Sequence, residues 1–427
     1  MTVEQTVNKI NTACTDMKKA FKDLADRAEP SLQQMTSAIG ALTQYKVEGV
    51  INNGPGIPGT PFTEYRDSKP RWWERLVTPI TSVTEVPHPK REEAQKKADA
   101  MFGTAKTNDE NFKLDTNSIA ETPEKVGKLI TDWLKISNEF SKKIAQVIPS
   151  NVVYIPTTGN MDGWLSPGAS GAYAASVSSQ DNAAGTTSSV MSDLMDNCAK
   201  FLESLTTSLA DFAKLTNSQD EFYSNLITKC IPKQISFSQI MDLIDAGVST
   251  INKTRSDETE KSTNMATMLN NTIAQLLAIE KLDRQITEMG ESQGDNGWPK
   301  PAKMSVSESS ETPAASELRF NTQYFHDHSK FWRQVSADLS TLKTSSDSVV
   351  EIPTMFARLP QFSADQSTAL NSLCDRISAD ALGKGATATS DLADLLDSTI
   401  TDYLKAEAEN TDTARQVYKE IYGTEMP

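Results

Sequence analysis

Apolar side chains recur along most of this chain at steps of three and four. Val3, Val7, Ile10, Cys14, Met17, Phe21 and Leu24 form the first series, a spacing that places them on one face of a helix. Pro30 predicts a kink or break, after which Leu32, Met35, Ile39 and Leu42 resume the pattern. A second series joins Val126, Leu129, Ile130, Trp133, Ile136, Phe140, Ile144 and Val147. Here Thr122 is the expected N-cap and Pro123 the first helical residue. The most regular series is Val190, Leu194, Cys198, Phe201, Leu205, Leu209, Phe212 and Leu215. Ile240, Met241, Ile244, Val248 and Ile251 lead into a polar stretch, residues 252–264, that reads equally as a turn or as a solvated helix face. The stripe returns from Met265 to Met289, again around Phe331, Trp332, Val335, Leu339 and Leu342, and finally from Leu392 to Ile421.

Between these stretches the pattern fails in two places. Residues 51–89 are rich in proline and glycine and cannot form one helix. Residues 290–317 hold few apolar side chains among many Ser, Pro and Glu, which predicts a flexible linker. Period-two alternation is brief, with residues 151–155 (NVVYI) the best strand candidate. Long helices of this kind bury their stripes by packing side by side. The expected fold is therefore all-α, an elongated bundle of long antiparallel helical hairpins with Pro/Gly-rich and disordered connections. Its expected divisions are an N-terminal hairpin with an insert over 1–121, a second hairpin over 122–230, and a C-terminal bundle over 234–427 containing the flexible segment at about 290–317.

Composition narrows the range of partners. The 42 Lys and Arg stand against 57 Asp and Glu, a formal charge of −15, so nucleic acid and anionic membranes are poor partners. No apolar run is long enough to span a bilayer, and stable membrane insertion is not expected. Residues 1–21 lack the apolar core of a secretory leader, which fits either cytoplasmic residence or a leaderless export route. Cys14, Cys198, Cys230 and Cys374 are widely scattered and read as buried small hydrophobes.

The joint before the most regular helix, Gly163 to Tyr173 (GWLSPGASGAY), combines Trp164, Pro167, several glycines and the small residues Ala169 and Ala172. It resembles the turn of the WxG family of helical hairpins exported by type VII secretion systems of Gram-positive bacteria, and the larger helical substrates of those systems. In that family Trp-x-Gly makes the turn, and small residues and an aromatic open the second helix. Trp164 matches. Ser166 stands where the family has glycine, Gly168 follows two residues later, and Tyr173 takes the aromatic position. The resemblance covers about residues 122–216. It implies a hairpin over 122–230, a turn formed by Trp164, Ser166, Gly168 and Tyr173, and recognition by secretion machinery. The family's export signal, Tyr-x-x-x-Asp/Glu, is matched by Tyr403 and Glu407, one helical turn apart on one face.

Other motifs point to little chemistry. Residues 54–59 (GPGIPG) lack the Lys-Ser/Thr of a phosphate loop and read as a turn. His326 and His328 diverge on a helix and have no visible further ligands. His88, between two prolines, is expected in solvent. Trp72 and Trp73 either anchor their loop or contact a partner. No nucleophile–base pair, acid pair or cofactor fingerprint is visible. The expected function is that of a non-enzymatic, cofactor-free, secreted or cell-surface protein acting through a protein partner or self-association. The alternatives are an α-helical pore-forming toxin component, or a phage or surface structural protein.

Overall fold

A computed structural model describes residues 2–71, 74–77, 79–148, 164–165, 169–230, 235–291, 294, 296–301, 319–320, 322–349, 351–352, 365–408, 416, 419 and 422–424. Helix dominates, as periodicity predicts, but the fold is not purely α. The helices are α1 (Val3–Gly40), α2 (Glu74–Val77), α3 (Arg91–Phe140), α4 (Ala169–Cys230), α5 (Phe237–Glu288), α6 (Thr322–Asp347), α7 (Asp365–Arg376) and α8 (Lys384–Ala408). Two π-helical segments, Ser141–Ala145 and Ile377–Gly383, follow α3 and α7. The strands are β1 (Thr43–Ile51), β2 (Thr60–Arg66), β3 (Ile80–Pro87), β4 (Trp164–Leu165) and β5 (Arg319–Phe320).

The chain forms two compact units, each discontinuous in sequence. One comprises Met1–Ile10, Thr122–Ser204 and Leu269–Pro427; the other comprises Asn11–Glu121 and Leu205–Met268. The boundaries fall within α1, α3, α4 and α5 rather than in connecting loops.

Helix starts follow local chemistry. Reciprocal capping boxes open α1 and α5: Gln5 N–H donates to Thr2 Oγ1 while Thr2 N–H donates to Gln5 Oε1, and Ser236 and Gln239 repeat the arrangement. Helix interiors depart from local expectation. Pro30 does not break α1. The next residue, Ser31, is buried, and its Oγ lies 2.7 Å from Arg27 O in α1 and 3.1 Å from Tyr223 O in α4, so that its one hydrogen is shared between the two carbonyls. Nor does a helix begin at Thr122. The 50-residue α3 continues through Pro123: Ile119, Ala120 and Val126 are all buried, and their packing outweighs the roughly 3 kcal/mol that an internal proline costs. The polar stretch 252–264 is helix with mostly solvated side chains.

The Asn11–Glu121/Leu205–Met268 unit holds the departure from an all-α fold. The Pro/Gly-rich insert folds into an antiparallel sheet of order β2-β1-β3. Tyr45 pairs with Arg66 on one side and Glu85 on the other, and Val47 with Glu64 and Val83. A register shift against β3 falls at Glu48/Gly49. Gly49 is required there, since a Cβ would lie 2.6 Å from both Phe62 Cε1 and Pro79 O. In the same unit Gly247 lets α5 approach its neighbours: a Cβ would sit 2.2 Å from Met101 Sδ and 2.8 Å from Phe222 Cζ. His88 is buried rather than solvated. Its ring stacks on Phe237 with centroids 4.8 Å apart, Nδ1 accepts from Lys90 N–H, and Nε2 faces Asp67 at 3.3 Å. The expected strand at 151–155 lies outside the described residues.

In the other unit α6 and α8 run antiparallel. Ser336 Oγ donates to Ala386 O at 2.7 Å and Ser329 Oγ to Ala393 O at 3.4 Å. These contacts recur seven residues apart on each helix, as small residues permit close backbone approach. Part of the expected linker is docked in this unit. Trp298 is buried, its indole N–H donates to Gln180 Oε1 at 2.5 Å, and its amide donates to Asp380 O at 2.9 Å. Gln180 Nε2 donates in turn to Pro299 O at 3.1 Å. Gly297 turns the chain at φ +83°, and a Cβ there would lie 2.6 Å from Asp380 O. One buried tryptophan without periodic neighbours leaves no stripe, so composition alone misreads this stretch. Residues 302–318 lie outside the described residues.

Trp298→Ala removes a fully buried indole and should cost ~3–5 kcal/mol. Urea unfolding followed by far-UV circular dichroism checks this. Limited proteolysis should leave Asn296–Pro301 intact in the wild-type protein and cut it in the variant.

Candidate interaction surface

Two groups of side chains stand out, one in each unit. The first is the β1–β2 hairpin. Its loop is built by local hydrogen bonds: Asn53 Nδ2 donates to Pro58 O at 2.9 Å and Thr60 Oγ1 at 2.8 Å, and Ile57 N–H donates to Gly54 O at 3.2 Å. Gly54 and Gly56 adopt φ +108° and +81°, conformations that other residues enter at a cost. Val50, Ile51, Ile57 and Tyr65 are exposed. Behind the tip the charges are paired. Lys46 bonds Glu48 at 2.5 Å and holds its carboxyl below the usual range, and Arg66 bonds Glu64 at 2.9 Å and also Glu74. Beside the sheet a hollow of about 630 Å³ is lined by Ile51, Phe62, Thr63, Glu64, Arg66, Glu74 and Ile80. The same unit holds an apolar groove of about 590 Å³ between Phe21, Leu32, Phe102 and Tyr223, with Glu29, Asp99 and Lys106 among its lining residues.

The second group is a buried polar chain near the start of α4. Tyr173 is fully buried, and its oxygen lies 2.9 Å from Trp332 Nε1 and 2.7 Å from His328 Nδ1. An indole can only donate, so the phenol oxygen accepts from Trp332 and its hydrogen is directed at Nδ1. That leaves His328 neutral with its proton on Nε2. Tyr324 lies against the same imidazole, ring centroids 4.0 Å apart. Burial lowers the His328 pKa to about 4, only partly offset by Asp327. Burial likewise pushes the Tyr173 hydroxyl up and that of Tyr324 to about 12. None of these groups is poised for acid–base chemistry at neutral pH; they tie α4 to α6.

Of the residues singled out in the sequence, Tyr173 joins this chain, in the second turn of α4. The signal for it was Tyr173 itself; its partners Trp332 and His328 are more than 150 positions away and no local pattern connects them. Trp164 lies in β4, paired with Phe320, while Leu165 pairs with Arg319. Ser166, Gly168, Trp72 and Trp73 lie outside the described residues. Tyr403 is half-buried on α8, and Glu407 follows one turn later on the same helix. Cys14, Cys198 and Cys230 are buried, and Cys374 is half-buried with its thiol pushed up to about 12 by burial. Among the described residues no three His, Cys, Asp or Glu side chains converge to hold a metal, and no helix is long and apolar enough to cross a membrane.

His328 makes stability depend on pH. Its folded pKa lies below the unfolded value, so the unfolded chain binds the extra proton between about pH 6.5 and 4. The neutral-histidine contribution is present above pH 6.5 and is lost as pH falls towards 4, by about 3 kcal/mol in all. His328→Gln should flatten the stability profile over that window, measured by urea unfolding at stepped pH.

Compared with known protein families, with curated proteins and with solved structures, the chain matches none of them.

Proposed function

We propose that this chain is a non-enzymatic, exported helical protein that works by surface contact with a protein partner or with copies of itself, in the manner of the type VII substrates it resembles. The observation that supports it is the allocation of side chains. The buried polar atoms of Tyr173, His328, Trp332, Gln180 and Trp298 are engaged in joining one segment to another. Among the described residues, four of the five large apolar side chains left exposed, Val50, Ile51, Ile57 and Tyr65, lie on the β1–β2 hairpin. In this reading Trp164, Ser166, Gly168 and Tyr173 form the family's turn motif. Tyr403 and Glu407 form the export signal read by the secretion machinery, and Trp72 and Trp73 supply partner contact.

The exposed apolar hairpin also favours a second reading, a component of an α-helical pore-forming toxin, in which β1 and β2 would be the element that enters the bilayer. Dye release from liposomes separates the two: the first reading expects none and the second expects release.

Export is tested in the native host. Tyr403→Ala should lower the secreted fraction several-fold with little change in melting temperature, and deleting the secretion ATPase should abolish secretion. Unchanged secretion in both would refute the type VII reading.

A further inference from the structure

Among the described residues the large apolar side chains left in solvent are Val50, Ile51, Ile57 and Tyr65 on the hairpin and Val248 on α5. The hairpin group coincides with a second peculiarity. Residues 49–63 carry no charged side chain, in a chain of 57 acidic and 42 basic residues.

Three features limit what can cover such a tip. The first is its shape. Gly49 lies opposite Phe62 and Ile51 opposite Thr60, on one face of the sheet, while Val50 lies opposite Pro61 on the other. With Ile57 in the connecting loop, the tip carries exposed apolar side chains on both faces, interspersed with the uncharged polar Asn52, Asn53 and Thr60. A partner resting on one face would leave the other in water. The second is area. A stable protein interface takes about 800 Å² and 20–30 residues from each side, and three aliphatic side chains on a narrow hairpin fall well short. The third is depth. Ile51 lies three residues beyond Glu48, roughly 10 Å at ~3.4 Å per residue, which matches the ~5–10 Å to which interfacial elements enter a bilayer.

We infer that the β1–β2 tip docks into the interfacial layer of a lipid surface with neutral, zwitterionic headgroups. Val50, Ile51 and Ile57 enter the acyl boundary. The Lys46–Glu48 and Glu64–Arg66 pairs stay at headgroup level, where their charges remain hydrated. Tyr65, paired with Lys46 in the sheet register, stays at headgroup level with these pairs, where a ring with a polar end suits both lipid and water. The charge of −15 on the whole chain sets the lipid preference, since an anionic surface repels it. The hydrogen bonds of Asn53 hold the tip in shape before contact, so little chain entropy is lost on docking. The docking is independent of the export reading: a chain that fails the secretion test can still bind vesicles, and the converse.

Flotation of the full chain with phosphatidylcholine vesicles tests the inference. The wild-type protein should float with the vesicles, and adding phosphatidylserine should weaken the association. Ile57→Glu, in an exposed loop, should reduce partitioning about tenfold or more, with an unchanged circular dichroism spectrum. Ile51→Glu should do the same, whereas Val248→Glu on α5 should bind as the wild type. No flotation of the wild-type protein, or equal flotation of wild type and Ile57→Glu, would overturn the inference. So would lipid-free sedimentation velocity showing a dimer that Ile57→Glu abolishes, since the tip would then be covered by a second copy.

Discussion

A helix of 62 residues with an apolar stripe along it, such as α4, can bury that stripe only against other helices. This constraint decides most of the architecture. Each unit is assembled from segments distant in sequence, because the neighbours that cover a long helix come from wherever the chain returns alongside it. It also explains why prolines fail to break helices here. Pro30 and Pro123 each remove a backbone donor, but the buried side chains around them keep the stripe continuous. Gly247 shows the same pressure from the other direction: a Cβ there would meet the Met101 and Phe222 side chains, which would have to shift.

Burying long helices also buries polar atoms, which must be satisfied. The interior solves this with directed chains. Trp332 donates to Tyr173 and Tyr173 to His328, while Trp298 donates to Gln180 and Gln180 to Pro299 O. Serines on α6 donate to carbonyls of α8. Arg376 joins α7 to α5 through Asp283 and Thr287, and bonds Asp380 of the π-helical segment after α7. Such contacts fix which helix meets which, where hydrophobic burial alone is indifferent to register.

The β1–β2–β3 sheet escapes the helical constraint. Its prolines, Pro61 in β2 and Pro87 at the end of β3, lie on the two edge strands, where a missing N–H can face away from the ladder, and its β1–β2 loop closes on the Asn53 side chain. A structure that satisfies itself locally is free to carry exposed apolar residues, and surface contact by this protein is proposed at that point.

The helices and their buried faces were legible in the sequence, because a 3.6-residue period survives any tertiary arrangement: Val7, Ile10, Cys14, Met17 and Phe21 are all buried as the spacing requires. Strand alternation was present in residues 43–51, through Tyr45, Val47 and Ile51, whereas in residues 80–87 Ile80, Val83 and Val86 recur at every third position and give no strand signal. Trp298, His88 and the partners of Tyr173 were not legible. Trp298 meets Gln180 and Asp380, His88 meets Phe237, and Tyr173 meets Trp332, each across more than 80 positions. Periodicity records which face of an element is apolar. It holds no information about which distant residue completes a hydrogen bond or a ring stack, and only the packed chain decides that.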